Sequence, residues 1–146
     1  MRYLLFLVLF LSACDPCARL DCAYSDYDGQ FRIVRASDGS DLLFGSQKLY
    51  AADSLRFYTV KGSDTTVFQS SSAYLPGSGY DSILQVRFFP QADTAYMQLP
   101  NGDVDTLTMA FETIPSRCCG TRTNITAFRL NDAAALPGDG TQIIRK

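Results

Sequence analysis

Short stretches in which apolar and polar residues alternate recur along the chain. In residues 82–89, Leu84, Val86 and Phe88 occupy alternate positions, with Gln85 between the first two. Successive side chains of a β-strand point to opposite faces, so this period of two predicts a strand with one buried face. The same reasoning predicts strands at 29–35, 54–60, 94–99, 104–113, 122–130 and 142–145. We also expect a strand at 64–71 and a short apolar strand or bridge at 42–45.

The clearest hairpin signal is Pro100-Asn101-Gly102-Asp103, which separates two alternating stretches. Asn and Gly both tolerate a positive φ, as the tight turns of hairpins require. In the second of these stretches, Leu107, Met109 and Phe111 share a face. We expect that face to contribute to the core.

Eight or nine short strands with frequent turns, and no helical periodicity after residue 14, indicate an all-β fold. Two apolar sheet faces are most simply buried against each other, which favours an antiparallel β-sandwich of the immunoglobulin-like, Greek-key kind. A small closed β-barrel is the alternative. The chain is long enough for one such domain with its own core.

The first residues follow a different pattern. Arg2 precedes an apolar run, Leu4 to Leu11, that is much shorter than the ~20 residues of a membrane-spanning helix. A charge followed by a short apolar segment is typical of the helix of a secretory signal peptide. The run ends in Leu11-Ser12-Ala13-Cys14, which matches a bacterial lipobox at all four positions.

A lipobox predicts cleavage before Cys14 and lipidation of that cysteine. Two or more acyl chains anchor a protein stably, because each buried CH₂ contributes about 0.8 kcal/mol. We therefore expect a lipoprotein signal peptide at 1–13, a lipidated N-terminal tether at 14–28 and a single β domain at 29–146. The expected location is a bacterial cell envelope, as a membrane-anchored lipoprotein, with both the periplasmic and the surface side of the outer membrane as options.

Composition supports the strand prediction and limits the partners. The chain has fourteen Asp and one Glu, and ten Arg and three Lys. Asp favours turns, whereas Glu and Lys favour helices. The net charge is −2 and no run of basic residues occurs, so we expect a membrane partner through the lipid and no nucleic-acid partner.

Four cysteines remain besides Cys14, namely Cys17, Cys22, Cys118 and Cys119. In an oxidising compartment they are disulfide candidates, and four cysteines allow three pairings. A bond between the neighbours Cys118 and Cys119 requires an unusual geometry, so bonds from the N-terminal segment to residues 118–119 are favoured. Zinc binding fits poorly, because structural zinc sites rarely use adjacent ligands. Redox chemistry at Cys14 and Cys17 is disfavoured because a lipidated cysteine has no free thiol.

Candidate catalytic groups are few. The chain contains no His, which removes the commonest general base and the usual partner of Ser and Cys nucleophiles. A carboxylate-based hydrolase that uses Glu112 with an Asp is the remaining enzymatic alternative. Oxygen-rich clusters at 26–29 and 101–105 do not complete the loop of a calcium site with its closing Glu, so we interpret them as turns. We expect no catalytic residue, no metal and no cofactor.

Residues 70–82 are rich in Ser, Gly and Tyr, a composition typical of adaptable binding loops. Tyr74 and Tyr80 are the candidate recognition residues of this loop, for a protein or glycan partner. The alternative interpretation is a flexible connection between two strands.

Several short motifs carry a resemblance to a known group of proteins. In chain order they are the lipobox, Asp41-Leu42-Leu43-Phe44-Gly45, Asp53-Ser54-Leu55-Arg56-Phe57-Tyr58, Asp105-Thr106-Leu107-Thr108 and Cys118-Cys119-Gly120. With these motifs, which extend over most of the chain after Cys14, the sequence resembles small lipoproteins of Bacteroidota whose function is unknown. The resemblance implies an envelope β-domain and supplies no catalytic residues.

We therefore expect a lipid-anchored β-domain of the cell envelope that acts as a non-catalytic binding or accessory module. The alternative is a structural or assembly component of the envelope, which would require a strand edge that accepts a partner. An enzyme is the least favoured class.

Overall fold

The described part of the chain contains ten β-strands and one short 3₁₀ helix, joined by turns and loops. The computed structural model describes Cys17 and residues 27–75, 80–90 and 92–146, with Tyr74, Leu75, Tyr80 and Asp81 described by their backbone alone. The strands are β1 (Asp28–Val34), β2 (Arg56–Lys61), β3 (Asp64–Val67), β4 (Gln69–Leu75), β5 (Tyr80–Arg87), β6 (Thr94–Gln98), β7 (Val104–Ser116), β8 (Gly120–Leu130), β9 (Leu136–Pro137) and β10 (Thr141–Arg145), and the 3₁₀ helix is Ala52–Ser54. Among these residues no helix is long and apolar enough to cross a membrane.

The strands form two sheets. The first sheet has the order β10-β1-β5-β4, and the second sheet has the order β3-β2-β6-β7-β8-β9. All neighbouring strands are antiparallel except β1 and β10, which run parallel. Neither sheet closes on itself within the described residues, and one apolar cluster joins the two sheets. The predicted all-β sandwich is therefore confirmed, and the barrel alternative is wrong.

The core centres on the ring of Phe31 in β1. Its centroid lies 5.5 Å from that of Phe128 and 5.6 Å from that of Phe57, both in the second sheet, and 6.1 Å from that of Phe88. Aromatic pairs at such separations add to the hydrophobic contribution of burial. Gly29 leaves space for the cluster, because a Cβ atom there would lie 2.7 Å from carbon atoms of both Phe31 and Phe88. Phe31 thus joins the two sheets.

The predicted hairpin is present, with β6 and β7 joined through residues 100–103. Leu107 and Met109 are buried, as the alternation predicts. Phe111 is only half-buried, and the register between β7 and β8 shifts between Ala110 and Phe111. The shift ends the regular alternation of buried and exposed side chains at this point.

The single strand predicted at 64–71 is wrong, because the structure divides this stretch between the two sheets. β3 pairs with β2 in the second sheet, whereas β4 pairs with β5 in the first. Phe68 lies between β3 and β4, donates its N–H to the carbonyl of Phe57, and places its buried ring 5.1 Å from that of Phe88. The chain therefore crosses between the sheets at Phe68, and no Gly or Pro in the sequence marks the crossing.

β7 and β8 extend beyond the sandwich as a two-stranded arm, residues 112–124. β6 accompanies β7 only as far as Thr108, and β9 pairs only with Ala127 and Phe128. Between residues 112 and 124 the two strands pair only with each other in the described part of the chain. Most of the arm is exposed. An isolated two-stranded ribbon is only marginally stable in water, so the arm needs a further constraint.

A disulfide joins the tip of the arm to the N-terminal segment. Cys118 in the turn between β7 and β8 is bonded to Cys17, 101 residues earlier in the chain. Cys119 is disulfide-bonded as well. The bond at Cys118 is one of the favoured links between the N-terminal segment and residues 118–119. In the chain-entropy account, closing a loop of about 100 residues stabilises the folded state by about 4.7 kcal/mol.

Lys146, directly after β10, connects the first sheet to the second. Its Nζ forms an ion pair with Asp103 Oδ2 at 2.8 Å and another with Asp105 Oδ2. The backbone N–H of Lys146 donates to the carbonyl of Val34 at the end of β1. Asp105 is buried and also accepts a hydrogen bond from Asn131 Nδ2 at 2.9 Å. A buried carboxylate requires such partners to offset the loss of its hydration.

These contacts shift the pKa values of Asp103 and Lys146. A hydrogen bond from Lys146, together with its charge, holds the pKa of Asp103 below its ordinary value. Burial acts to lower the pKa of Lys146, but the hydrogen bonds and charges of Asp103 and Asp105 outweigh burial and raise this pKa. A lowered carboxyl pKa stabilises the fold above the ordinary carboxyl value, and a raised ammonium pKa stabilises it below the ordinary ammonium value. The ion pairs therefore contribute throughout the pH range between the two.

Replacing Phe31 with Ala should lower the free energy of unfolding by about 3–5 kcal/mol, because the substitution opens a cavity between the sheets. Chemical denaturation followed by circular dichroism measures the change. Ile143→Ala is the matched control, since Ile143 lies on the neighbouring strand with 42% of its surface exposed. A loss at Phe31 no larger than the loss at Ile143 would contradict the central place of this ring.

The Lys146→Met variant should be about 2–3 kcal/mol less stable than the wild type at pH 7, because Asp103 and the buried Asp105 both lose their cation. The ordinary pKa values of the two shifted groups are 3.8 for Asp103 and 10.5 for Lys146. The difference should stay constant between these values. It should shrink as the pH falls through the lowered pKa of Asp103 or rises through the raised pKa of Lys146.

Denaturation midpoints of both proteins, measured across this pH range, provide the test. The exposed Lys48 supplies the control variant, Lys48→Met, which should match the wild type at every pH. A stability difference for Lys146→Met that persists unchanged in strong acid would show that the ion pairs are not its cause.

Candidate functional site

The outer face of the first sheet carries a row of polar side chains. Arg87 of β5 lies opposite both Asp28 of β1 and Gln69 of β4, and Gln85 of β5 lies opposite Ser71 of β4. The intervening residues of β1 and β5 are buried in the core. Because alternate residues of a strand point to opposite faces, the polar side chains point away from the second sheet.

Asp28 fixes the orientation of its neighbours in this row. Its Oδ1 accepts a hydrogen bond from Arg87 Nε at 3.0 Å, and its Oδ2 accepts from Arg87 Nη2 at 3.2 Å and from Gln85 Nε2 at 2.9 Å. Two parallel bonds hold the guanidinium plane in one orientation. The hydrogen bond to Asp28, and then its charge, raise the pKa of Arg87 above its ordinary value. The two charges offset each other, so this part of the face is polar without a net charge.

A cleft of about 420 Å³ lies over this row and is lined by Asp28, Gln69, Ser70, Ser71, Gln85 and Arg87. We call it the polar cleft. Ligand sites typically occupy ~300–1,000 Å³ and most of them are lined by apolar residues, whereas every residue that lines the polar cleft is polar. Its amides and hydroxyls both donate and accept hydrogen bonds, whereas its guanidinium only donates and its carboxylate only accepts. This set of groups suits an uncharged ligand with many hydroxyl groups better than an apolar or a highly charged one.

A second cavity of about 280 Å³ shares Ser70 and Ser71 of β4 with the polar cleft and is otherwise lined by Ala52, Asp53, Ser72 and Leu84. Within the described part of the chain, β5 is the only strand that pairs with β4. The sequence of β4 contains no charged residue and no Pro. Charged residues and prolines commonly protect the edges of sheets from pairing with other chains, so the edge of β4 lacks this protection.

The predicted recognition residues lie in strands rather than in a loop. Tyr74 belongs to β4 and Tyr80 to β5, and these two strands pair with each other. The loop prediction for 70–82 is therefore wrong over most of its length, because backbone pairing with β5 orders the Ser-rich segment whatever its side chains. The recognition role of Tyr74 and Tyr80 stays a prediction, since their side chains lie outside the described structure.

Three further residues that the sequence singled out are Cys14, Cys22 and Glu112. The lipidation residue Cys14 and the disulfide candidate Cys22 lie outside the described residues. Glu112 is exposed on the arm, opposite Asn124. Among the side chains that the structure describes, no three His, Cys, Asp or Glu residues come together as metal ligands.

The two oxygen-rich clusters of the sequence contact cationic side chains. Asp28, from the cluster at 26–29, pairs with Arg87. Asp103, from the cluster at 101–105, pairs with Lys146. These carboxylates therefore have partners within the chain.

The polar cleft was not found from the sequence. Its signal is the polar half of the alternation in 82–89, where Gln85 and Arg87 occupy the face opposite the core positions. Their partner Asp28 is 57 and 59 residues away in the chain. Register between strands so far apart has no local sequence signature, so the cleft could be located only from the structure.

Comparison with protein-family models, with curated proteins and with solved structures finds no match for this chain.

Proposed function

We propose that the protein is a lipid-anchored β-sandwich of a bacterial cell envelope, akin to the small lipoproteins of Bacteroidota, and that it binds a glycan in the polar cleft. The role is that of a non-catalytic binding module. The observation that carries the proposal is the cleft itself, which three adjacent strands line with hydrogen-bonding groups and which the Asp28–Arg87 pair keeps electrically balanced.

Two observations support the envelope location. The sequence Leu11-Ser12-Ala13-Cys14 follows a short apolar run, in the arrangement of a lipobox. The bond between Cys17 and Cys118 is of the kind that persists in oxidising compartments and is rare in the cytosol.

The chemistry of the polar cleft supports a glycan as the ligand. Sugar hydroxyls donate and accept hydrogen bonds at closely spaced positions, and Gln69, Ser71 and Gln85 offer matching donors and acceptors. Asp28 holds Arg87 and Gln85 in place before any ligand arrives. Groups that are already ordered lose less conformational entropy when they bind.

An assembly role is the second candidate, and the edge of β4 favours it. The strand is seven residues long and uncharged. Extended segments of partner proteins bind such edges by adding a strand to the sheet. In this case the protein would recognise a partner through backbone hydrogen bonds beside the polar cleft.

Replacing Cys14 with Ser should release the protein from the membrane, because serine cannot receive the diacylglyceryl thioether. Fractionation of cells that express the full chain measures the change, and mass spectrometry of the wild type should find residues 1–13 removed and acyl chains attached. Cys17→Ser is the matched control, since it leaves the lipobox intact and should remain in the membrane fraction. A Cys14→Ser protein that still sediments with membranes would contradict the anchor.

Gln69→Ala should weaken binding to the best ligand in an array of immobilised oligosaccharides by about five- to tenfold, the loss expected for one hydrogen-bonding side chain. The comparison uses the full chain with Cys14→Ser as background, so that lipid does not interfere. Gln47→Ala is the control, because Gln47 is an exposed glutamine that does not line the cleft.

Equal losses in Gln69→Ala and Gln47→Ala would place the ligand elsewhere on the protein. Absence of binding across the array would overturn the glycan proposal. Recovery of an envelope protein bound through β4 would then support the assembly role.

A further inference from the structure

The arm ends far from the body of the sandwich. From residue 112 to the turn at residues 117–119, neither strand has a third neighbour in the described part of the chain. At ~3.3 Å per residue, β7 advances about 17 Å from residue 112 to the turn at residue 117. The tip is therefore the most remote part of β7 from the hairpin turn at 100–103.

The disulfide restricts where the front of the chain can lie. Cys17 is bonded to Cys118 at this tip, with 5.2 Å between their Cα atoms. Cys14 precedes Cys17 by three residues, and a chain advances at most ~3.6 Å per residue, so Cys14 lies within about 11 Å of Cys17 in any conformation. The residue proposed to carry the lipid is thus covalently confined to the neighbourhood of the arm tip.

We propose that the tip of the arm is the surface that faces the lipid headgroups and that the arm holds the sandwich away from the bilayer. This inference rests on the lipid anchor at Cys14 in the proposed function. A tether free along its whole length would let the body take any orientation. The bond at Cys17 shortens the free part to three residues and brings the arm tip to the bilayer first.

The composition of the arm tip is compatible with a phospholipid surface. Residues 113–123 include Arg117 and Arg122 and contain no Asp or Glu. Arginine side chains near a membrane are attracted to anionic headgroups. Ile114, on the last part of β7, is 43% exposed. The polar cleft is built on the first sheet, whereas the arm belongs to the second.

A tryptophan reporter can test this orientation, because the chain contains no Trp of its own. Ile114→Trp places the reporter on the arm, and Val104→Trp places it at the other end of the same strand, about 33 Å away. The two positions are matched, since both are β-branched residues of β7 with 43% and 44% exposure. The acylated full chain is reconstituted into phosphatidylglycerol and phosphatidylethanolamine vesicles that contain a dansyl-labelled headgroup, and energy transfer from each Trp is measured.

Transfer from Trp at position 114 should exceed transfer from Trp at position 104 severalfold. Equal or reversed transfer in protein whose acyl mass is confirmed would overturn the orientation and leave the anchor standing. Lack of an acyl mass on the wild type would overturn the anchor and, with it, this inference. The Cys14→Ser form of each variant should show no transfer. This control excludes binding of the protein to the vesicles without its acyl chains.

Discussion

The packing of Phe31 against Phe57 and Phe128 is the contact on which the two sheets depend. It also determines the outer surface, because the same strand that directs Phe31 inward directs Asp28 outward. A slip of β1 by one residue would exchange the two faces, burying a carboxylate and exposing a ring. The pairing register of β1 therefore determines both the core and the polar cleft, and a change of that register would alter both.

Local pattern was sufficient to predict most strands, because a half-buried strand shows its period of two in the residues themselves. It failed where the chain changes sheets without a turn signal, as at the buried Phe68. It also gave no indication that β7 continues to Ser116, since the last residues of this strand are exposed and carry no apolar stripe. Strand continuation there depends on pairing with β8.

Interactions between distant residues explain what the sequence could not supply for the candidate site. The cysteine count limited the disulfides to three pairings, and the bond of Cys17 with Cys118 belongs to the favoured ones. The ion pair of Asp28 with Arg87 follows instead from the register of β1 with β5, and that of Asp105 with Lys146 from the packing of one sheet on the other. Both acids stand in sequence contexts that are equally typical of turns, so only their partners in the folded chain distinguish their roles.

The parallel pairing of β1 with β10 has a consequence for the time course of folding. Gln30 and Thr141 are hydrogen-bonded neighbours although 111 residues separate them. Contacts between residues so far apart form slowly, because the intervening chain must first be closed into a loop. The first sheet stays incomplete until the last strand has left the ribosome. A chain that is exported before β10 has been synthesised would therefore cross the membrane with its first sheet unformed.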